Sequence, residues 1–394
     1  RPASRRIERS LENLSMPHRS SVVSVLAGLL LFLLMGSAAR AATLTVTSTA
    51  DSGAGSLRDA IATAGAGDTI TFAAGITTIN LTTGQLSIDK NLTINGGSGV
   101  TVTRQAGSFR IFNVASGNTV ILDSLTISNG YSDFGGGGIY NQGTLTVSNS
   151  TFSGNSTDGP GGGGGGIFNQ GTLTVTNSIF SGNSTADTGY GGGIFNNGGT
   201  LTVTNSTFSG NSTAANGGGI FNIGTLTVTN STFSGNSTGL GGGGGIYNNI
   251  GTLTVTNSTF SGNSAGGGGG GIYNQGTLTV TNSTFSGNSA VHDGGGIYSY
   301  NSTVYLSNTI LANSLSGGDC ANFGGTINAS GVNLVEDGTC TIPGALTADP
   351  LLGPWRTTAD RLKRWRCYLV ARLSMRRMMR SVPPRPSMVS INAA

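Results

Sequence analysis

His292 and Asp293 form the one adjacent imidazole–carboxylate pair in this chain, and such a pair could exchange a proton with a substrate. The other acids within the repetitive body are Asp133, Asp158 and Asp187, mostly in Gly-rich turns. Sites that cleave polysaccharides set two carboxylates together, or a base beside an Arg, a Lys or a metal. That company is missing here. From Ile111 to Trp355 there is no Lys or Arg. The same span holds nine acids (Asp123, Asp133, Asp158, Asp187, Asp293, Asp319, Glu336, Asp337 and Asp349), a formal charge of −9. A solvated turn is the plainer account of His292 and Asp293. No catalytic, metal-ligating or cofactor-binding residue is expected, and no cofactor.

Other binding chemistries fail on spacing or charge. A calcium β-roll needs an Asp in every repeat. A P-loop needs Gly-Lys-Ser/Thr after its glycines, and the Gly runs here lack it. Nucleic acid demands a basic face to displace counterions, so it is not expected as a partner. The formal charge of +4 misleads, because the cations sit in two end blocks. Cys320 and Cys340 remain. In an exported chain they read as a disulfide closing a loop of about 20 residues, with two free or half-buried thiols as the alternative.

The elements that would carry these residues are written as a repeat. The Ile of each "GGGI" falls at 139, 167, 194, 220, 246, 272 and 297, at spacings of 28, 27, 26, 26, 26 and 25. Periods of this size signal a solenoid. From each of the first six Ile to the Phe of "FSGN" the distance is 13 or 14 residues, so the length variation sits mostly in the Gly run. That run reads as a loop. "TLTVT" alternates strictly, with Leu and Val to one side and Thr to the other. "IYN" before it and "STF" after it are two more short strands. Three strands per repeat, stacked in parallel about 4.8 Å apart, make a parallel β-helix. Phe152, Phe180, Phe208, Phe233, Phe260 and Phe285 should stack in its core. Asn155, Asn183, Asn211, Asn236, Asn263 and Asn288 should form an amide ladder at one turn. A single coil cannot repay the entropy of ordering its chain, which is why the words must recur.

The ends differ. Met16, a charged stretch, the apolar run Val22–Met35 and "GSAARAA" read as a signal peptide over 16–41, cleaved between Ala41 and Ala42. Residues 1–15 precede that Met and read as upstream mistranslation. Residues 42–130 read as an N-terminal cap with irregular coils, 131–316 as regular repeats of about 26 residues, and 317–354 as a C-terminal coil with the Cys pair. "GSLRDAIATA" reads as a capping helix, with Ser56 and Asp59 as a capping box and Leu57, Ala60, Ile61 and Ala64 as its apolar stripe.

"GGGI" and "FSGN" resemble the GGA-I and F-x-x-N tetrapeptides of bacterial polymorphic outer-membrane proteins. "SLRDAI" resembles the opening of secreted β-helix proteins that begin C-S-L-R-E-A, with Gly55 where the Cys would stand. "GVNLVEDGTC" and "DPLLGP" resemble the segment before the anchor in choice-of-anchor β-helix proteins. The resemblance covers about residues 43–354 and implies an all-β, right-handed parallel β-helix, secreted or attached to the cell surface. The basic tail, 355–394, reads as a frameshift product. Read from the third base of each codon, Trp355 onward can become "ADNGGPTETMALLPGSPAIDA", similar to the segment after D-P-x-L-G-P in that family. The native anchor would then be missing, and membrane contact would come only through the signal or that anchor. An adhesin-like protein that binds extracellular carbohydrate or another cell surface is the main expectation. A β-helix polysaccharide lyase or hydrolase, and an ice-binding protein using its outward Thr, are the alternatives.

Overall fold

Alternation of Thr with Leu and Val leaves each strand one apolar face, and the chain buries it by winding. The structure, a computed structural model, describes residues 41–352 apart from Pro160 and Asp187. They form a parallel β-solenoid of about eleven turns. The signal peptide, the residues before it and the tail from 353 onward lie outside the described residues. Within a coil the strands are Ile194–Asn196, Thr200–Thr204, Thr207–Ser209 and Ser212–Thr213. The fourth of these is shorter than the alternation pattern can register. It forms its own seven-stranded parallel sheet, while the strands that begin the repeats form a ten-stranded one.

Neighbouring coils pair in strict register. Ile194 meets Ile220, Leu201 meets Leu226, Val203 meets Val228 and Phe208 meets Phe233. Through the regular repeats each of these columns is therefore one residue type, and all these side chains are buried. Between the second and third strands the chain turns on an Asn in the left-handed region, at Asn149, Asn177, Asn205, Asn230, Asn257 and Asn282. Asn tolerates that conformation because its short amide can bond locally. Two repeats carry one extra residue after "FN" or "YN". The solenoid absorbs it outward: Ile250 has φ 53° and is exposed.

The helix Leu57–Thr63 closes the N-terminal end, with Leu57, Ala60 and Ile61 buried in the same core as Val46 and Ile70. Ser56 Oγ accepts the Asp59 N–H at 3.1 Å. The Asp59 carboxylate reaches back to the Gly55 N–H, one residue earlier than in a standard capping box. Lys90 Nζ donates to the carbonyls of Ala62 and Ala64 at the helix C-terminus, where a cation is favourable.

Asp51 ties this cap to the first coils. Its carboxylate accepts from Arg58 and from the N–H and hydroxyl of both Thr82 and Thr83. Burial alone would raise its pKa, but the bonds from Arg58, Thr83 and Thr82 outweigh burial and hold it well below the usual carboxylate range. A depressed folded pKa means stability that is complete above the unfolded value, about 3.9, and lost as pH falls below it. Protection from hydrogen exchange at 43–90, taken relative to the intrinsic rate at each pH, is expected to fall selectively on acidification below about pH 4, with Asp51→Asn lowering it at neutral pH as well. Protection at 43–90 that follows the central coils at every pH would show that the clasp contributes nothing.

At the other end the solenoid continues past the repeat that starts at Ile297. Cys320–Phe323, Thr326–Ser330 and Leu334–Val335 extend the same sheets. Cys320 and Cys340 are joined by a disulfide with a Cα–Cα distance of 5.3 Å and a separation of 20 residues. A loop of this size contributes about 3 kcal/mol by chain entropy. Because each coil leans only on its neighbours, reduction should act locally. Cys320→Ser with Cys340→Ser is expected to increase exchange over 297–346 and leave 139–265 unchanged. Uniform loss across the rod would contradict this.

Candidate functional site

The polar interior is organised as ladders. Asn155 Nδ2 donates to Asn183 Oδ1 at 2.9 Å, and the same bond links Asn183 to Asn211, Asn211 to Asn236, Asn236 to Asn263 and Asn263 to Asn288. Each Asn Oδ1 beyond the first also accepts the backbone N–H of the preceding ladder residue. Beside them Phe152, Phe180, Phe208, Phe233, Phe260 and Phe285 stack with ring centroids 4.5–4.8 Å apart. These residues build the rod and offer nothing to a ligand.

Two further ladders escaped sequence reading. Asn141, Asn169, Asn196, Asn222, Asn248 and Asn274 are linked Nδ2 to Oδ1 at 2.7–2.8 Å, and Asn274 ends the row on Ser302 Oγ. The Ser of each "NS" forms the other: the N–H of Ser150, Ser178, Ser206, Ser231 and Ser258 donates to the next Ser Oγ. Both columns are visible as invariant words, "IYN/IFN" and "NS", but the words by themselves mark only strands and turns.

A second aromatic row lies outside the barrel. Tyr140, Phe168, Phe195, Phe221, Tyr247, Tyr273 and Tyr298 succeed one another at 4.6–5.2 Å. The Gly run crosses these rings, which changes its reading as a plain loop. A Cβ on Gly163 would lie 2.5 Å from Phe195 Cδ1, and one on Gly268 would lie 3.0 Å from Tyr298 Cδ2. That crossing position is Tyr190, Asn216 or Asp293 in other coils, whereas the three glycines after it recur in every repeat and are held by backbone: a Cβ on Gly165 would run into the Ser184 carbonyl oxygen. Burial, with the neighbouring Tyr273 and Tyr190, raises the Tyr247 phenol strongly. Arg110 stands over Tyr140 at 4.9 Å and caps the row. Burial lowers its pKa, which Tyr140 partly offsets.

The outward Thr face is uncharged from Thr172 to Thr281. Thr172, Thr174 and Thr176 align with Thr200, Thr202 and Thr204, and so on to Thr277, Thr279 and Thr281. These Thr are exposed or half-buried. The described cations are Arg58, Lys90, Arg104 and Arg110, all in the early coils. Each is engaged: Arg58 with Asp51, Lys90 with the helix carbonyls, Arg104 with Asn129 O, Arg110 with Ser132 Oγ.

His292 and Asp293 are exposed in a loop, as are Asp133 and Asp158, and Asp158 accepts from the Tyr131 hydroxyl. Asp187 lies outside the described residues. Asp319 is buried beside the disulfide, and it and Asp337 each accept the other's N–H. Burial raises the Asp319 carboxyl against the Ser314 bond, with the Asp337 charge adding to the rise. Burial would also raise Asp337, but bonds from Thr339 and the Asp319 N–H lower it. Among the described residues no three His, Cys, Asp or Glu gather as a metal site, and no helix is long and apolar enough to cross a membrane.

Register, ladders and glycine packing define a parallel β-helix repeat protein. The Chlamydia polymorphic membrane protein repeat matches residues 257–275 and 282–300, each running from an "NSTFSGN" word to the next "GGGIY". The chain is a polymorphic-membrane-protein-like β-helix repeat protein. No curated protein matches it. Among solved structures it is similar to a PL6 alginate lyase in complex with a trisaccharide, at 14% identity and a TM-score of 0.31, covering 82% of this chain and 91% of that one. It is also similar to the PL6 family alginate lyase AlyGC, at 14% identity and a TM-score of 0.30, covering 78% of this chain and 53% of that one. At such values neither likeness bears on activity.

Proposed function

We propose that the protein is a non-enzymatic, adhesin-like component of the cell surface that presents a rod of uncharged side chains to extracellular carbohydrate or another cell. The observation that carries this reading is the in-register Thr surface, unbroken by charge over the coils from Thr172 to Thr281. The repeat match supports a surface location, since that family is associated with the outer membrane. An extended uncharged face suits binding by area rather than chemistry in a cleft. A glycan array and a cell-adhesion assay on the full chain test it. Binding without turnover is expected. Rapid depolymerisation of alginate or pectin by pure protein would overturn it in favour of a lyase. The in-register Thr columns also favour a second reading, ice binding, for which thermal hysteresis is the test.

A further inference from the structure

The Thr lattice gives way to Ile121 at its N-terminal end and to Tyr305 at its C-terminal end, and the surface is concave at the latter. The middle Thr column runs Thr174, Thr202, Thr227, Thr254, Thr279, and then the register gives Tyr305 and Asn328. The adjacent column runs Thr281, Ser307, Ser330. Around Tyr305 these side chains line a depression of about 230 Å³. Tyr305 is 46% exposed although its neighbours in the strand, Val304 and Leu306, are buried.

We propose that this depression is a binding seat for a neutral polysaccharide chain. The inference rests on the carbohydrate-binding reading above and names its site and ligand class. A sugar ring has an apolar C–H face and a rim of hydroxyls. The Tyr305 ring can stack on the first, since an aromatic side chain offers rigid apolar area with a polar tip. The hydroxyls of Thr279, Thr281, Ser307 and Ser330 and the Asn328 amide can donate to and accept from the second. The volume is below the roughly 300–1,000 Å³ of enclosed small-molecule sites. It therefore suits one segment of a longer chain whose flanking sugars remain in water.

The charge pattern selects neutral over anionic polymers. None of the lining residues carries a formal charge. The described cations lie no further along the chain than Arg110. Seven strand steps separate the pairing strand at Thr119 from that at Thr303, or about 34 Å at 4.8 Å per step. That is several times the roughly 8 Å screening length at physiological salt. A uronate chain in the seat would find no counter-charge and would meet the net negative charge of the body.

The test is retention of the full chain on laminarin and cellulose, as neutral probes, against alginate and polygalacturonate. Tyr305→Thr restores the residue the repeat itself uses in that column, so the coil stays intact, as a melting curve will verify. Binding to at least one neutral glucan is expected, unchanged between about 0.05 and 0.5 M salt. It should be weakened about tenfold or more by Tyr305→Thr, as for a buried aromatic anchor, and kept within about threefold by Tyr305→Phe. If the wild type binds a glucan and Tyr305→Thr binds as well, the seat is wrong and the adhesin reading survives. If only the anionic polymers bind, the ligand class is wrong. If the wild type binds no glycan and no cell surface, both readings fall.

Discussion

Asn211→Ala should destabilise the rod by about 3–6 kcal/mol, because it strips partners from several buried groups at once. Asn211 Oδ1 accepts the Asn183 N–H at 3.0 Å and the Asn183 Nδ2 at 2.9 Å. Its own Nδ2 donates to the Phe180 carbonyl at 2.9 Å. Alanine would orphan the Asn183 backbone N–H, one Asn183 amide hydrogen and the Phe180 carbonyl, and both Asn183 and Asn211 are fully buried. Each buried group left unpaired costs about 1–3 kcal/mol. The chemically identical change at Asn177 is the control. Asn177 is exposed and serves mainly to hold φ 50°, so Asn177→Ala should cost about 1–2 kcal/mol, the ordinary left-handed penalty. Denaturant midpoints, with exchange rates at Phe180–Asn236, separate the two. Equal shifts would mean that the inner ladder is spacing rather than bonding.

This contrast also shows how far the sequence could be read. The Asn155 and Phe152 columns were legible because a constant spacing of 13 or 14 residues after each Ile forces them to one place in every coil. The parallel fold followed from the same regularity. The Gly runs were not legible, because composition alone makes a Gly-rich stretch look like loose loop. What constrains Gly163 is the Tyr190 carbonyl and the Phe195 ring of the next coil, contacts between residues of different repeats that no single repeat displays. Tyr305 was visible only as a broken pattern in "STVYLSNT". That it overlooks a depression depends on Asn328, one coil further on, where the words no longer repeat and register cannot be extrapolated. The same absence of recurring words left the coil expected over 317–354 without strand bounds, which the structure places at Cys320–Phe323 and Thr326–Ser330.

Phe208→Ala should cost about 3–5 kcal/mol, the usual loss for a buried Phe, and its coupling to other rings should report how the rod shares its stability. Phe208 lies between Phe180 at 4.7 Å and Phe233 at 4.8 Å. The wall facing it includes Gly193, whose hypothetical Cβ would be 3.2 Å from Phe208 Cδ1. Glycine has no side chain to swing into the void, so the cavity persists instead of collapsing. Phe208→Leu should recover part of the loss by filling some of that volume. The informative measurement is a pair of double-mutant cycles on exchange free energies. Phe208→Ala with Phe233→Ala removes one shared stack that each single change also removes, so the double loss should fall short of the sum by about 0.5–1.5 kcal/mol. Phe208→Ala with Phe285→Ala involves rings three coil steps apart, about 14 Å. Those losses should add within about 0.5 kcal/mol. Strong coupling at three steps would mean that the rod unfolds as one block, and that the tie between neighbouring coils does not set its stability.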